Sequence, residues 1–181
     1  MMIAKKELLK LARETIISEL KDKELVIDER IKKEFSEKKA CFVTLSKNGV
    51  LRGCIGSLIP HQELWKDVIE NAKNAAFNDI RFPPLIDEEL DEIKIEISIL
   101  SIPKEIHYKN LEDLKRKIKG KGVIIYYSSY SATYLPQVWE EIKNEEEFLS
   151  SLCLKAGLGV NFWKNNELRV KVYEVEKIKE I

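Results

Sequence analysis

Apolar residues recur along this chain at two distinct periods. Over residues 4–21, Leu8, Leu9, Ala12, Ile16, Ile17 and Leu20 repeat at helical spacing and form one apolar stripe. A second helix is expected over Glu29–Glu37. Residues 40–46 and 50–58 read instead as two strands on either side of Lys47-Asn48-Gly49, closed by Pro60. Asn-Gly between two apolar runs marks a β-hairpin, because both central residues take positive φ. Gln62–Phe77 returns to helical spacing, with Leu64, Val68, Ala72 and Ala75 or Ala76 inside. Pro83-Pro84 then forbids helix and holds the chain extended. Ile93, Ile95, Ile97 and Ile99 alternate with Lys94, Glu96 and Ser98, the pattern of a half-buried strand.

The second half repeats this mixture. A helix is expected over Leu111–Lys119 with Gly120 ending it, then a strand over Gly122–Tyr127. The Ser- and Tyr-rich stretch Tyr126–Tyr134 reads as a loop followed by a short strand, and a helix starts at Pro136 and runs to Ile142. Asn144, with Glu147 three residues on, opens a helix that runs through Ala156 and stops at Gly157. Val170, Val172 and Val175 suggest a last strand near 167–175. No βαβ rhythm and no internal repeat emerges. The expected class is α+β, a mainly antiparallel sheet flanked by helices.

With Asn48 and Gly49 as a two-residue turn, Lys47 pairs with Val50, Leu45 with Arg52, Val43 with Cys54 and Cys41 with Gly56. The strand period of two then puts Cys41, Val43, Leu45, Arg52, Cys54 and Gly56 on one face. A thiol and a guanidinium share that face. Cys41 and Cys54 lie diagonally, roughly 7 Å apart, whereas a disulfide wants Cβ atoms about 3.8 Å apart; no disulfide is expected.

Composition narrows the classes. The 181 residues, 44% hydrophobic, suffice for one domain with its own core and room for two lobes. The chemically unusual blocks 52–56 and 79–84 are expected to border one cleft. Lys+Arg and Asp+Glu both total 31, so the basic excess of a generic nucleic-acid binder is absent. Charged residues make up 34% of the chain, the ion-pair-rich balance of thermophile proteins. Met1–Lys10 is charged within five residues and lacks the apolar core of a leader. No apolar run approaches the ~18 residues that span a bilayer. A cytoplasmic protein with three reduced thiols and no membrane contact is expected. His61 and His107 are the only histidines, and no Cys-x-x-Cys, phosphate-cradling loop or dinucleotide fingerprint occurs. No metal or cofactor is expected.

The candidate chemistry centres on Leu51-Arg52-Gly53-Cys54-Ile55-Gly56. Cys54 is either a nucleophile or a small apolar residue packed in a strand. Arg52, two positions away, favours an anionic thiol, and Gly53 and Gly56 let backbone amides approach a ligand. Arg52 and Arg81 offer the planar donor fork that lysine lacks, for an anionic substrate or for an internal ion pair such as Arg81 with Asp79. Gln137 points its amide into the cleft or sits in the first turn of a helix. Cys41 and Cys153 read as packing, His61 as exposed beside Pro60, and Tyr126, Tyr127, Tyr130 and Tyr134 as sheet residues that need no ligand.

These blocks resemble the AMMECR domain family. Ala40-Cys41-Phe42-Val43-Thr44-Leu45 followed by Leu51-Arg52-Gly53-Cys54-Ile55-Gly56 is similar to the family signature. Ala75-Ala76-Phe77 with Asp79, Arg81, Phe82 and Pro84 follows in order, then Glu96–Leu100, Gly122–Ile125, Leu135–Trp139, Phe148-Leu149, Leu152-Cys153, Lys155–Leu158 and Trp163. The resemblance covers about residues 5–175. It implies a two-lobed α+β fold with the cysteine of the Arg-Gly-Cys-Ile-Gly motif beside a cavity between lobes. It also implies companions, a Memo-type dioxygenase-like protein and a radical SAM enzyme. Three functions stay open. One is an enzyme built on Cys54 that acts on a small anionic molecule or a peptide. Another is a non-catalytic adaptor for a Memo-type or radical SAM partner. The third and least supported is a nucleic-acid binder that uses the basic stretch Lys104–Lys121.

Overall fold

A computed structural model describes residues 2–181; of the Met1–Lys10 segment read above, Met1 lies outside the described residues. The chain forms two compact units, one ending at Leu100 and recovering Glu176–Ile181, the other Ser101–Val175. The first unit begins with α1 (Met2–Leu20) and α2 (Glu29–Glu34), the latter capped by Asp28, which accepts the Arg30 N–H at 2.8 Å. The hairpin β1 (Cys41–Lys47) and β2 (Val50–Gly56) follows. Next come α3 (Leu64–Lys73), a π-helical turn over Asn74–Asn78, a 3₁₀ turn over Asp87–Glu89 and β3 (Ile93–Leu100).

The second unit contains β4 (Lys104–Ile106), α4 (Leu111–Ile118), β5 (Gly122–Tyr127) and β6 (Tyr130–Tyr134). It continues with α5 (Val138–Glu141), α6 (Glu145–Lys155), α7 (Phe162–Asn165) and β7 (Arg169–Tyr173). The last strand, β8 (Val175–Lys179), returns to the first sheet. The two four-stranded sheets run in the orders β2-β1-β3-β8 and β4-β7-β5-β6. Both hairpins and the β1–β3, β4–β7 and β5–β7 pairs are antiparallel.

Each unit has its own apolar core. In the first, Leu8, Leu11, Ala12 and Ile16 of α1 meet Cys41, Val43 and Leu45 of β1, Val68 and Ala72 of α3, and Ile93, Ile95 and Ile97 of β3. The alternating isoleucines of β3 therefore bury the predicted face. In the second, Leu114, Ile118, Val123, Ile125, Phe148, Leu149, Leu152 and Trp163 pack together, with the Trp139 ring stacked on Phe148 at 3.9 Å. The expected helices over 4–21, 111–119 and 144–156 and the hairpin turn are present. Asn48 and Gly49 hold φ of 53° and 78°, as a type I′ turn requires. Strands β4 and β8 were not anticipated, because both are short and carry charges at most positions.

One expectation is overturned. Cys54 lies opposite Thr44 and not Val43, because the register shifts between Leu45 and Ser46: Ser46 pairs with Leu51 but Leu45 with Gly53, leaving Arg52 as the extra residue of a β-bulge. The slip of one residue reverses the faces. Cys41, Val43 and Leu45 point into the core, while Cys54 shares the opposite face with Thr44. Cys41 and Cys54 are free thiols on opposite sides of the sheet.

A buried carboxylate ties the base of this hairpin to α3. Asp67, wholly buried, accepts the Cys41 N–H at 2.8 Å, the Ser57 hydroxyl at 2.9 Å, and the Asn71 and Gln62 amides at 3.0 and 3.2 Å. Four donors replace the water the carboxylate has lost. Asp67→Ala leaves a buried backbone donor unmet and is expected to cost about 1–3 kcal/mol in urea denaturation. Ser57→Ala keeps the other donors and is expected to cost about 0.5–1.5 kcal/mol. Equal losses from the two substitutions are the result that contradicts this ranking.

Candidate functional site

The bulge brings Cys54 to a non-hydrogen-bonded position of the β1–β2 pair. There the side chains of opposed residues approach closely and the backbone N–H and C=O point away from the partner strand. Both consequences are seen. The Cys54 Sγ lies 3.3 Å from the Thr44 Oγ1. On the open side of β2, which is the sheet edge, Asp79 Oδ2 accepts the Cys54 N–H at 2.9 Å and Arg81 Nη2 donates to the Cys54 carbonyl at 2.9 Å. Asp79 and Arg81 are themselves paired through two charge-assisted bonds of 2.9 and 2.6 Å. The pair does for Cys54 what a neighbouring strand would do.

Local structure explains why this loop delivers it. α3 ends in the π-helical turn, and Asp79 leaves it in extended conformation, with φ −77° and ψ 106°. Asp79 is buried while Arg81 is half exposed. The Arg81 guanidinium, the N–H of Cys54 and the N–H of Arg81 hold the Asp79 carboxyl well below the usual carboxylate range, against the opposing effect of burial. Ile80, between the two, is fully exposed.

The remaining predicted residues fall in different places. Arg52 is buried at the bulge, where Nε and Nη2 grip Glu89 at 2.9 and 2.8 Å and Nη2 reaches the Pro84 carbonyl at 3.4 Å. Its Nη1 is buried and finds no acceptor among the described residues. The expectation that Arg52 shares a face with the Cys54 thiol is thus corrected: the bulge turns it toward the 3₁₀ turn. Gly53 and Gly56 are corrected too. A Cβ on Gly53 would sit 2.1 Å from the Ala75 carbonyl oxygen, and one on Gly56 would sit 2.2 Å from the Phe42 ring. The missing side chains admit the protein's own atoms. Gln137 lies in the second unit, exposed at the N-cap of α5. Cys41 and Cys153 are buried as expected, and burial pushes both thiols up. His61 is exposed, its ring 3.9 Å from both Asp67 and Glu70. Among the described residues, no three His, Cys, Asp or Glu side chains gather so as to hold a metal ion. No helix there is long and apolar enough to cross a membrane.

The clamp residues and the hairpin they grip are the same ordered blocks that carried the family resemblance, and a family model described as AMMECR1 matches residues 9–178. The chain belongs to the AMMECR1 family. AMMECR1-type relatives of similar length include protein NEQ441 of Nanoarchaeum equitans, 40% identical over 92% of this chain and 95% of that protein. Protein MK0488 of Methanopyrus kandleri is 38% identical over 96% of this chain and 86% of its own length. Among solved structures, the uncharacterised protein PH0010 from Pyrococcus horikoshii superposes with a TM-score of 0.78 at 38% identity, covering 96% of this chain and 89% of that one.

Three contributors to this AMMECR1 site escaped the sequence reading: Thr44, Glu89 and Asp67. Glu89 left no local signal, since its partner Arg52 is 37 residues away. For Thr44 the signal was Gly53, a glycine inside a strand, which marks a bulge or a close backbone approach.

Two outcomes follow from this geometry. Gly53→Ala drives a Cβ into a backbone carbonyl that cannot rotate away, and is expected to cost about 1–3 kcal/mol in stability. Gly159→Ala, with nothing within 4 Å, is expected to stay within about 0.5 kcal/mol of wild type. Neutral Gly53→Ala is the result that contradicts the packing. The Glu89 carboxyl is lowered to about 2, chiefly by its bonds to Arg52. A depressed folded-state value stabilises the fold above the unfolded value of about 4.3, and that contribution fades as pH falls toward the folded one. Denaturation of wild type and Glu89→Gln is therefore expected to differ most at neutral pH and to converge between about pH 4.3 and 2. A constant difference across that range sinks the assignment.

Proposed function

We propose that this AMMECR1-family protein is an enzyme whose nucleophile is Cys54, acting on a small anionic molecule or a peptide. The observation that carries the reading is the clamp. Cys54 is the one partly exposed thiol of the three, and both polar groups of its backbone are held by a charged pair from a separate loop. The clamp covers an open strand edge and, in doing so, holds the cysteine in one geometry, from which a nucleophile profits. Arg52 and Arg81 are both already paired with carboxylates, so a substrate anion must compete with Glu89 or Asp79. That favours a peptide over a free anion within the proposed class.

A second reading, an adaptor for a partner such as a Memo-type or radical SAM protein, draws on Ile80. The clamp holds this fully exposed apolar side chain at the loop tip beside β2, near the sheet edge.

Complementation of a strain lacking the homologous gene separates the two. The enzyme reading expects Cys54→Ser and Cys54→Ala to fail at wild-type protein levels while Ile80→Asp succeeds. The adaptor reading expects the reverse. Full complementation by both cysteine variants ends the case for a catalytic thiol.

A further inference from the structure

Register places three chemically capable side chains in one line across the sheet. Cys54 of β2 lies opposite Thr44 of β1, and Thr44 lies opposite Glu96 of β3. All three project from the face that the core does not use. The Cys54 Sγ and Thr44 Oγ1 are 3.3 Å apart. Glu96 is one-third exposed, and Lys177 of β8, at 3.6 Å, is its one ion-pair partner among the described residues. Cys54 and Glu96 sit two strand spacings apart, roughly 9–10 Å, too far for direct proton exchange. Thr44 and Glu96, directly opposed, have Cβ atoms about 4.5–5.5 Å apart. At rest Thr44 Oγ1 bonds Cys54 and the Glu96 carboxylate faces Lys177, so the second contact of the row requires Glu96 to change rotamer.

We infer that Thr44 positions the Cys54 thiol and hands its proton on to Glu96, so that Cys54, Thr44 and Glu96 work as one row. The inference rests on the Cys54 reading above and adds to it the group that receives the proton. In the transfer, the Cys54 S–H proton passes to the Thr44 Oγ1 as the Thr44 hydroxyl proton passes to the Glu96 carboxylate. With iodoacetamide as the electrophile, the S–C bond forms, the C–I bond breaks, iodide leaves with the bonding pair and the proton ends on Glu96. Lys177 lies 3.6 Å from the Glu96 carboxylate on the same face. A hydroxyl that accepts from the thiol and donates to the carboxylate is needed here because neither reaches the other.

The test is the rate of Cys54 carboxyamidomethylation in the native protein, located by peptide mass and followed against pH. Cys41 and Cys153 are buried and serve as internal negatives. Thr44→Val and Glu96→Gln are each expected to slow labelling at neutral pH by about tenfold or more, within the reach of general base assistance. Above about pH 10, where thiols ionise unaided, the variants are expected to match wild type. Thr44→Ser, which keeps the hydroxyl, restores the wild-type rate and guards against a loss that comes only from misfolding. The double variant Thr44→Val/Glu96→Gln is expected to be no slower than Thr44→Val alone, because a broken relay cannot be broken twice. Effects of the two substitutions that multiply, or a Glu96→Gln rate equal to wild type at every pH, overturn the row and leave the Cys54 reading standing. A wild-type Cys54 that labels only after unfolding overturns both.

Discussion

An edge strand with unmet backbone groups is the constraint around which the first unit is organised. β2 has β1 on one side only, and at Cys54 both its N–H and its C=O face outward. Covering them with another strand would bury the thiol's surroundings; leaving them bare would invite pairing with another chain. The Asp79–Arg81 pair satisfies both groups with side chains, and Cys54 stays partly exposed. Much else follows from that solution. The π-helical turn aims Asp79, Gly53 lets the same turn press its Ala75 carbonyl against the strand, and the prolines keep the loop extended long enough for Pro84 to reach Arg52. Arg52 and Glu89 then fasten the far end of the loop.

The polar groups around the hairpin are unlike one another energetically. Asp67 is a carboxylate surrounded by neutral donors, which fixes geometry through the number of bonds it accepts. Asp79–Arg81 and Glu89–Arg52 are ion pairs with parallel bonds, strong in direction and held partly out of water. The first holds the hairpin's base, the other two its edge. A site mounted this way sits on rigid strands while its restraints come from three different segments.

Most of the architecture was legible because it is written in local periods. The α1 stripe, the alternating isoleucines of β3, the Asn144 cap and the Asn48-Gly49 turn each depend on residues within a few positions of one another. The Asp79–Arg81 pair was legible for the same reason, being two residues apart. The facing of β2 was not. Arg-Gly-Cys-Ile-Gly has no apolar–polar alternation from which to read a face, so its orientation hung on counting from the turn, and one bulged residue reversed the count. Glu89 and Asp67 were hidden for a different cause. Acidic residues on a surface turn or an amphipathic helix read as solvated, and only the tertiary fold reveals that one meets an arginine and the other the base of a hairpin.

The bulge at Arg52 has a consequence for how this hairpin tolerates change. Whether the Cys54 sulfur meets the core or the open face is a matter of odd or even count between the turn and the cysteine. Chemical character at that position is thus governed by chain length as well as by residue type. Deleting Arg52, the bulged residue, would restore regular pairing with Cys54 still opposite Thr44 and the thiol still outward, whereas closing the bulge at full length would set Cys54 opposite Val43 and bury it. Deleting two residues there would set the cysteine opposite Leu45 and turn the thiol to the core. The bulge therefore stands in for a one-residue shorter strand, and the face of the thiol is set by parity, not by the identity of the residues between turn and cysteine.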